Sequence, residues 1–281
     1  MRKHLAVLAI TALVFSNGSF AAETRVTWHG HATFEVVTPK GAVLMIDPWL
    51  KNPKNPAAAQ GKDPLAQVKR LDYILLTHAH TDHIADAAEL ARKTGAQLVA
   101  MPELGRQMVK LQGYPADQFG MPTMMNMGGE LRIAGGEVRV AMTDARHSAG
   151  MDNPLAEKDA SAPAVVYAGN PAGFVLSIEG GPVIYHTGDT DYFADMQSIG
   201  ERYKPDVALL SAGGHFTMGP ETAAQAAKSV GARHAVPMHW GTFPVLAQDM
   251  KAFVAEAKRL RIDTRVIEPG QSLLFDGKTL K

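Results

Sequence analysis

The run Thr77-His78-Ala79-His80-Thr81-Asp82-His83 decides how this chain is read. It follows an apolar strand predicted over residues 72–76. It opens a helix predicted over residues 82–93, which Gly95 ends. Four side chains of ligand type therefore fall within six residues at one strand-to-helix turn. In such a turn His78 and His80 can aim at one metal ion while Asp82 and His83 aim at a second. Imidazole and carboxylate suit zinc, manganese or iron(II). A helix N-terminus capped by Asp82 would account for the aspartate. It leaves three closely spaced histidines without a reason.

A two-metal centre needs more ligands, and the chain offers them where other predicted strands end. His147 follows a strand over residues 137–143, Asp189 one over 183–186, and His239 one over 235–238. Strand exits are where α/β scaffolds gather active sites. Around these points the pattern repeats. Strands are predicted over 25–28, 33–37, 43–46 and 73–76, then the helix at 82–93, a strand at 97–100 and a helix at 102–111. A second β-rich stretch covers 131–133, 137–143, 174–178 and 183–186. Helix 192–199, strand 207–210, helix 220–230, strand 235–238 and helix 245–260 follow, and strands 264–267 and 272–275 finish. Strands and then strand–helix units, twice over, predict two sheets face to face with helices outside. The polar stretch 151–163 reads as a structureless surface loop near the join of the halves. Met121, Met124, Met125 and Met127 read as an apolar loop or pocket wall, since no histidine accompanies them.

Composition narrows the chemistry. The chain has 281 residues, with 28 Lys and Arg against 28 Asp and Glu, and 46% hydrophobic residues. That is a globular balance, not a disordered one. Zero formal charge removes the electrostatic footprint of a nucleic-acid binder. The absence of cysteine excludes disulfides, thiolate metal sites, iron–sulfur clusters and cysteine nucleophiles. Any metal must be held by nitrogen and oxygen.

Residues 1–21 read as an export signal. Arg2 and Lys3 precede an apolar run over 5–15, and Ser19-Phe20-Ala21 offers small residues at both positions a signal peptidase reads. The run is too short to span a bilayer as a stable helix. The expectation is a single mature domain over 22–281, periplasmic or secreted, with no stable membrane anchor.

The HAHTDH run, a strand-end histidine, a Gly188-Asp189-Thr190 aspartate and a late strand-end histidine together resemble the metallo-β-lactamase superfamily. Gly30-His31, Ile46-Asp47-Pro48-Trp49, the segment 169–174, His186-Thr187-Gly188-Asp189 and the segment 216–220 resemble its branch of metal-dependent hydrolases related to ascorbate-phosphate lactonase. The resemblance implies a four-layer αββα sandwich, with the site along the edge where the sheets meet. It implies His78, His80 and His147 on one divalent ion, Asp82, His83 and His239 on a second, and Asp189 bridging them. Zinc is the expected metal, with manganese and iron as alternatives. It further implies a hydroxide shared by the two cations, attacking a lactone, carboxylic ester or phosphodiester of small-molecule size. Asp82 would orient that nucleophile, and His215, between glycines and a helix, would serve the leaving group or grip substrate. Among the remaining histidines, His31 reads either as a contact lining the site or as a plain loop residue. His29, His186 and His234 read as structural, and Asp47 as a group that orients a ligand histidine. The Asp189 bridge argues against a true β-lactamase, and the lack of a glutamate at position 80 argues against flavin-linked diiron enzymes. A phospholipase-D-like phosphodiesterase and a non-catalytic metal-binding protein stay as alternatives. The oligomeric state is left open.

Overall fold

The computed structural model describes residues 23–281, so residues 1–21, read as an export signal, and the expected first mature residue, Ala22, lie outside the described residues. The first half supplies strands β1 (Thr24–Trp28), β2 (Phe34–Val37), β3 (Val43–Ile46), β4 (Tyr73–Leu75) and β5 (Gln97–Val99). Helices α1 (Pro56–Ala59), α2 (Thr81–Ile84), α3 (Ala87–Thr94) and α4 (Pro102–Leu111) lie between or after them. The second half supplies β6 (Glu130–Ile133), β7 (Val138–Asp144), β8 (Met151–Asp152), β9 (Val165–Val166), β10 (Ala172–Ile178) and β11 (Val183–His186). Then come α5 (Met196–Tyr203), β12 (Val207–Ser211), α6 (Pro220–Val230), β13 (His234–Met238), α7 (Lys251–Leu260), β14 (Asp263–Thr264), β15 (Ser272–Asp276) and β16 (Thr279–Leu280).

These strands form two seven-stranded mixed sheets, ordered β16-β15-β1-β2-β3-β4-β5 and β14-β13-β12-β11-β10-β7-β6. In each, hairpin-connected strands pair antiparallel, and strands separated by helices pair parallel. The repeated sequence pattern is thus a repeated sheet design, and the expected sandwich of two sheets with helices is present. Strands such as β12 (VALLS) are buried along their whole length, as strands covered on both faces must be. The sheets are tied at the β1–β2 turn. His186 Nε2 donates to the Ala32 carbonyl at 2.9 Å, and the His239 amide donates to the His31 carbonyl at 2.9 Å.

Several boundaries differ from the sequence reading, each for a local reason. The helix expected over 82–93 is two helices. The Asp86 amide donates to Pro48 O instead of continuing the ladder, and this pulls α2 onto the β3 exit. The helix expected over 192–199 starts later, at Met196, because the Asp191 side chain and the Phe193 carbonyl hold a turn in front of it. Residues 245–250 are not helical: Ala247 is tied to Gly213 and Gly241 in an irregular loop. The strand expected over 264–267 is confined to β14. The stretch 151–163 is not structureless, since β8 pairs with β9 and Asn153 clasps Pro163. Thr81 Oγ1 donates to Asp152, which sets this hairpin beside α2.

Candidate metal centre

Six chain segments converge here, and all leave their strands at the C-terminal end: after β1, β3, β4, β7, β11 and β13. Open α/β sheets place ligands at such ends. Asp47, just past β3, organises the entry. It accepts hydrogen bonds from the Thr77 amide (2.8 Å), Thr77 Oγ1 (2.7 Å) and His83 Nδ1 (2.8 Å). One buried carboxylate therefore fixes both ends of the HAHTDH run. The β7 and β11 exits are laced together: Arg146 N donates to Thr190 Oγ1, and Asp191 N to Arg146 O. That lacing holds His147 near Asp189.

The structure brings the seven sequence-assigned residues together. The ligand atoms of His78, His80 and His147 lie within 4.8 Å of one another, as do those of His78, His83 and Asp189. Asp82, His83 and His239 gather likewise, with His31 among them. Asp189 Oδ2 stands 2.9 Å from His239 Nε2, 3.3 Å from His83 Nε2 and 3.6 Å from His147 Nε2, so it touches both sets.

The chemistry of these atoms fits cations. A carboxylate only accepts, so His83 Nδ1 carries a proton toward Asp47, which leaves Nε2, facing Asp189, as the nitrogen a cation would take. His83 Nε2, Asp189 Oδ1 and both ring nitrogens of His239 are buried without a hydrogen-bond partner. Each such orphan costs about 1–3 kcal/mol. A divalent ion there would take His83 Nε2, His239 Nε2 and the Asp189 carboxylate together, and the all-nitrogen-and-oxygen set suits zinc, manganese or iron. Without a cation, a proton takes its place. Burial opposes charge on His83, yet the Asp189 and Asp47 carboxylates outweigh it and hold its pKa well above the usual imidazole range. Burial likewise opposes charge on Asp189, yet His239 and His83 hold its pKa well below the carboxylate range. Burial alone dominates at His78 and pushes its pKa well down.

Comparison with known proteins places the chain among metal-dependent hydrolases. The β-lactamase superfamily domain matches residues 43–240. A UPF0173 metal-dependent hydrolase from Thermodesulfovibrio yellowstonii is 44% identical over 268 residues, covering 95% of this chain and 96% of its own. The chain belongs to the β-lactamase superfamily, among its UPF0173 metal-dependent hydrolases. Another relative, from Anaeromyxobacter dehalogenans, is 47% identical over 255 residues, 90% of this chain and 87% of its own. Igni18, a metallo hydrolase from Ignicoccus hospitalis, superposes with a TM-score of 0.75 at 34% identity over 90% of this chain and 98% of its own. An isothiocyanate hydrolase from Delia radicum gut bacteria, 19% identical with a TM-score of 0.65 over 90% of this chain and 99% of its own, shares the fold.

The backbone of this metal-dependent hydrolase is strained where it carries the centre. Seven non-glycine residues have positive φ among the described residues, and three of them, His31, Asp47 and His239, lie on the strand exits and the β1–β2 turn at the centre, while His215 lies on the β12–α6 junction. Lys204 and Arg261 are helix caps. Strain of about 1–3 kcal/mol per residue persists only where the surroundings enforce it, and it clusters at functional sites. Gly213 shows that enforcement: a Cβ there would sit 2.0 Å from the His239 carbonyl oxygen. Gly213→Ala is therefore expected to push His239 off position. The melting temperature should fall in step with an overpacking cost of about 1–3 kcal/mol, and calorimetric metal titration should show weakened binding.

His215 joins neither set. It is exposed on the β12–α6 junction, two residues beyond Gly213, with its ring edge-on to Phe216 at 4.4 Å. His186 and His234 are structural, as read. His186 bonds Ala32 and Gly188, and His234 bonds Asp263. His29 is structural too: its carbonyl accepts from Asn52 and Asn55. His31 is a true member of the centre, which its sequence context left open. Thr242, whose hydroxyl meets His31, was not found from sequence, because a lone threonine in a Gly-Thr-Phe loop carries no signal.

Proposed function

We propose that this hydrolase is exported and works as a binuclear enzyme that cleaves lactones or carboxylic esters of small size. The observation that carries the reading is the position of Asp189 Oδ2 between the nitrogen sets of His147 and of His83 and His239. A carboxylate so placed suits a bridge between two cations. When bound, the pair would lower the pKa of water to about 7 and polarise the bond to be broken.

The remaining work falls to the chain. His78, His80 and His147 form one imidazole set; Asp82, His83 and His239 form the other. Asp82, partly exposed on the single turn of α2, faces the open side and can align the attacking water. To His215, exposed on the β12–α6 junction, we assign the proton for the leaving group. Trp49 and Phe243 stack at 5.5 Å and stand edge-on to the His31 ring, giving the Asp82 side an apolar wall. Such a wall favours the acyl or aryl part of an ester or lactone over a phosphodiester.

The test is metal analysis joined to a substrate screen. Protein reconstituted with zinc, manganese or iron should bind two ions per chain and hydrolyse lactones and carboxylic esters. One ion at saturation would end the binuclear reading. Turnover confined to phosphodiesters would favour the phospholipase-D-like alternative, and no turnover on any class would favour a metal-binding protein. For export, mass spectrometry of periplasmic protein should find Ala22 at the N-terminus. An intact Met1 on cytoplasmic protein would refute it.

A further inference from the structure

We propose that His31 is a positioning residue that holds two members of the second metal set at once, Asp82 through its ring and His239 through its backbone. The inference rests on the two-cation reading above. His31 lies on the β1–β2 turn, in the opposite sheet from His239, and is fully buried. Its Nε2 is 2.9 Å from Asp82 Oδ2, and its Nδ1 is 2.7 Å from Thr242 Oγ1. Its carbonyl accepts from the His239 amide at 2.9 Å and from Trp28 Nε1 at 3.0 Å. Its ring also lies against the His239 ring, with centroids 3.8 Å apart.

Hydrogen-bond chemistry decides between a metal ligand and a positioning group. The Asp82 carboxylate can only accept, so His31 Nε2 carries the proton and donates. Nδ1 then accepts from the Thr242 hydroxyl. Both ring nitrogens are engaged, and no lone pair is left to turn toward a cation. His83 and His239 differ, since each has a buried ring nitrogen without a partner.

Asp82 needs this support. It sits on a four-residue helix and its side chain is 23% exposed, whereas those of His83, His239 and Asp189 are 3% or less. A single helical turn does not fix a side chain by itself. With Oδ2 held by His31, Oδ1 is the oxygen left free on the side of His83, whose Nε2 is 4.0 Å away. His31 and His239 also share positive φ, 53° and 61°, and the bond between their backbones locks both strained residues together. The first set has its own supports: His78 Nδ1 meets Thr77 Oγ1 at 3.0 Å, and His80 Nε2 meets Ser148 Oγ at 3.2 Å. Loss of His31 should therefore act on one set only.

The experiment is zinc titration of the apoprotein by calorimetry with chelator competition, for wild type, His31→Asn and Thr242→Val. Asparagine tolerates positive φ, so the first variant removes the ring while sparing the turn. Thr242→Val leaves the His31 backbone untouched and only frees the ring. Expected are two binding events in wild type. In His31→Asn the tighter or looser event assigned to Asp82 should weaken by about 10–100-fold, the range for groups that orient ligands. The other event should stay unchanged, and Thr242→Val should give a smaller loss at the same event. Unchanged affinities in both variants would overturn the proposal. So would complete loss of one ion at saturating zinc in His31→Asn, which would make His31 a ligand. A single event in wild type would instead overturn the two-cation reading, and this inference with it.

Discussion

Asp189→Ala should leave the protein unable to hold its cations as a pair. The variant removes the carboxylate that stands within 2.9–3.6 Å of His239, His83 and His147. Elemental analysis should fall from two ions per chain to one or none. Turnover should drop by at least the ~10⁴-fold that bounds the loss of a single general acid, since the alignment of the whole centre is affected. Asp189→Asn keeps the shape and removes the charge, so it separates bridging from packing. If asparagine restores metal content, charge was not what held the pair. Without the acid the apoprotein also loses the partner that offsets burial of His83. His83 should then shed its proton more easily, and the apoprotein should not gain stability from removal of the buried charge.

His215→Ala should behave in the opposite way: both ions stay, and turnover falls by roughly 10²–10⁴-fold. The side chain belongs to neither set, and its exposure leaves it free to meet a ligand. Its positive φ, shared with His31, Asp47 and His239, marks a backbone held against its preference. Acid catalysis adds a signature. Substrates with good leaving groups depart without a proton, so the loss should shrink along a series of increasingly acidic leaving groups. An even loss across the series would indicate a binding contact. Full activity would mean the junction merely carries an exposed histidine.

Much of this was legible in the sequence because the ligands are local or sit at predictable strand ends. The HAHTDH run puts four candidate ligands within six residues by spacing alone, and His147, Asp189 and His239 follow apolar runs that read as strands. Asp47 was readable as an orienting group, and it holds His83. What was not legible depends on tertiary contacts. His31 is bound to Asp82 across 51 residues and to Thr242 across 211, and no local pattern encodes such pairings. The break between α2 and α3 was hidden for the same reason: the helical periodicity runs on through Asp86, while its amide is captured by Pro48 from another segment. The β8–β9 hairpin was missed because two-residue strands bury too little apolar surface to leave an alternating signature.

One pairing has a consequence for how the molecule is made. β15 lies against β1, with Thr24 opposite Phe275 and Thr27 opposite Ser272. The sheet that presents His78 to His83 is therefore completed by residues 245–251 positions downstream of β1. Contacts of such sequence separation form slowly, because a long loop must close before any contact rewards it. A ribosome-bound chain lacking residues 272–276 would expose β1 as an open sheet edge, a surface prone to pairing with other chains. The polypeptide thus stays unfinished in this sheet until its last strands emerge, and a threading step that moves an unfolded chain would find it still unfastened.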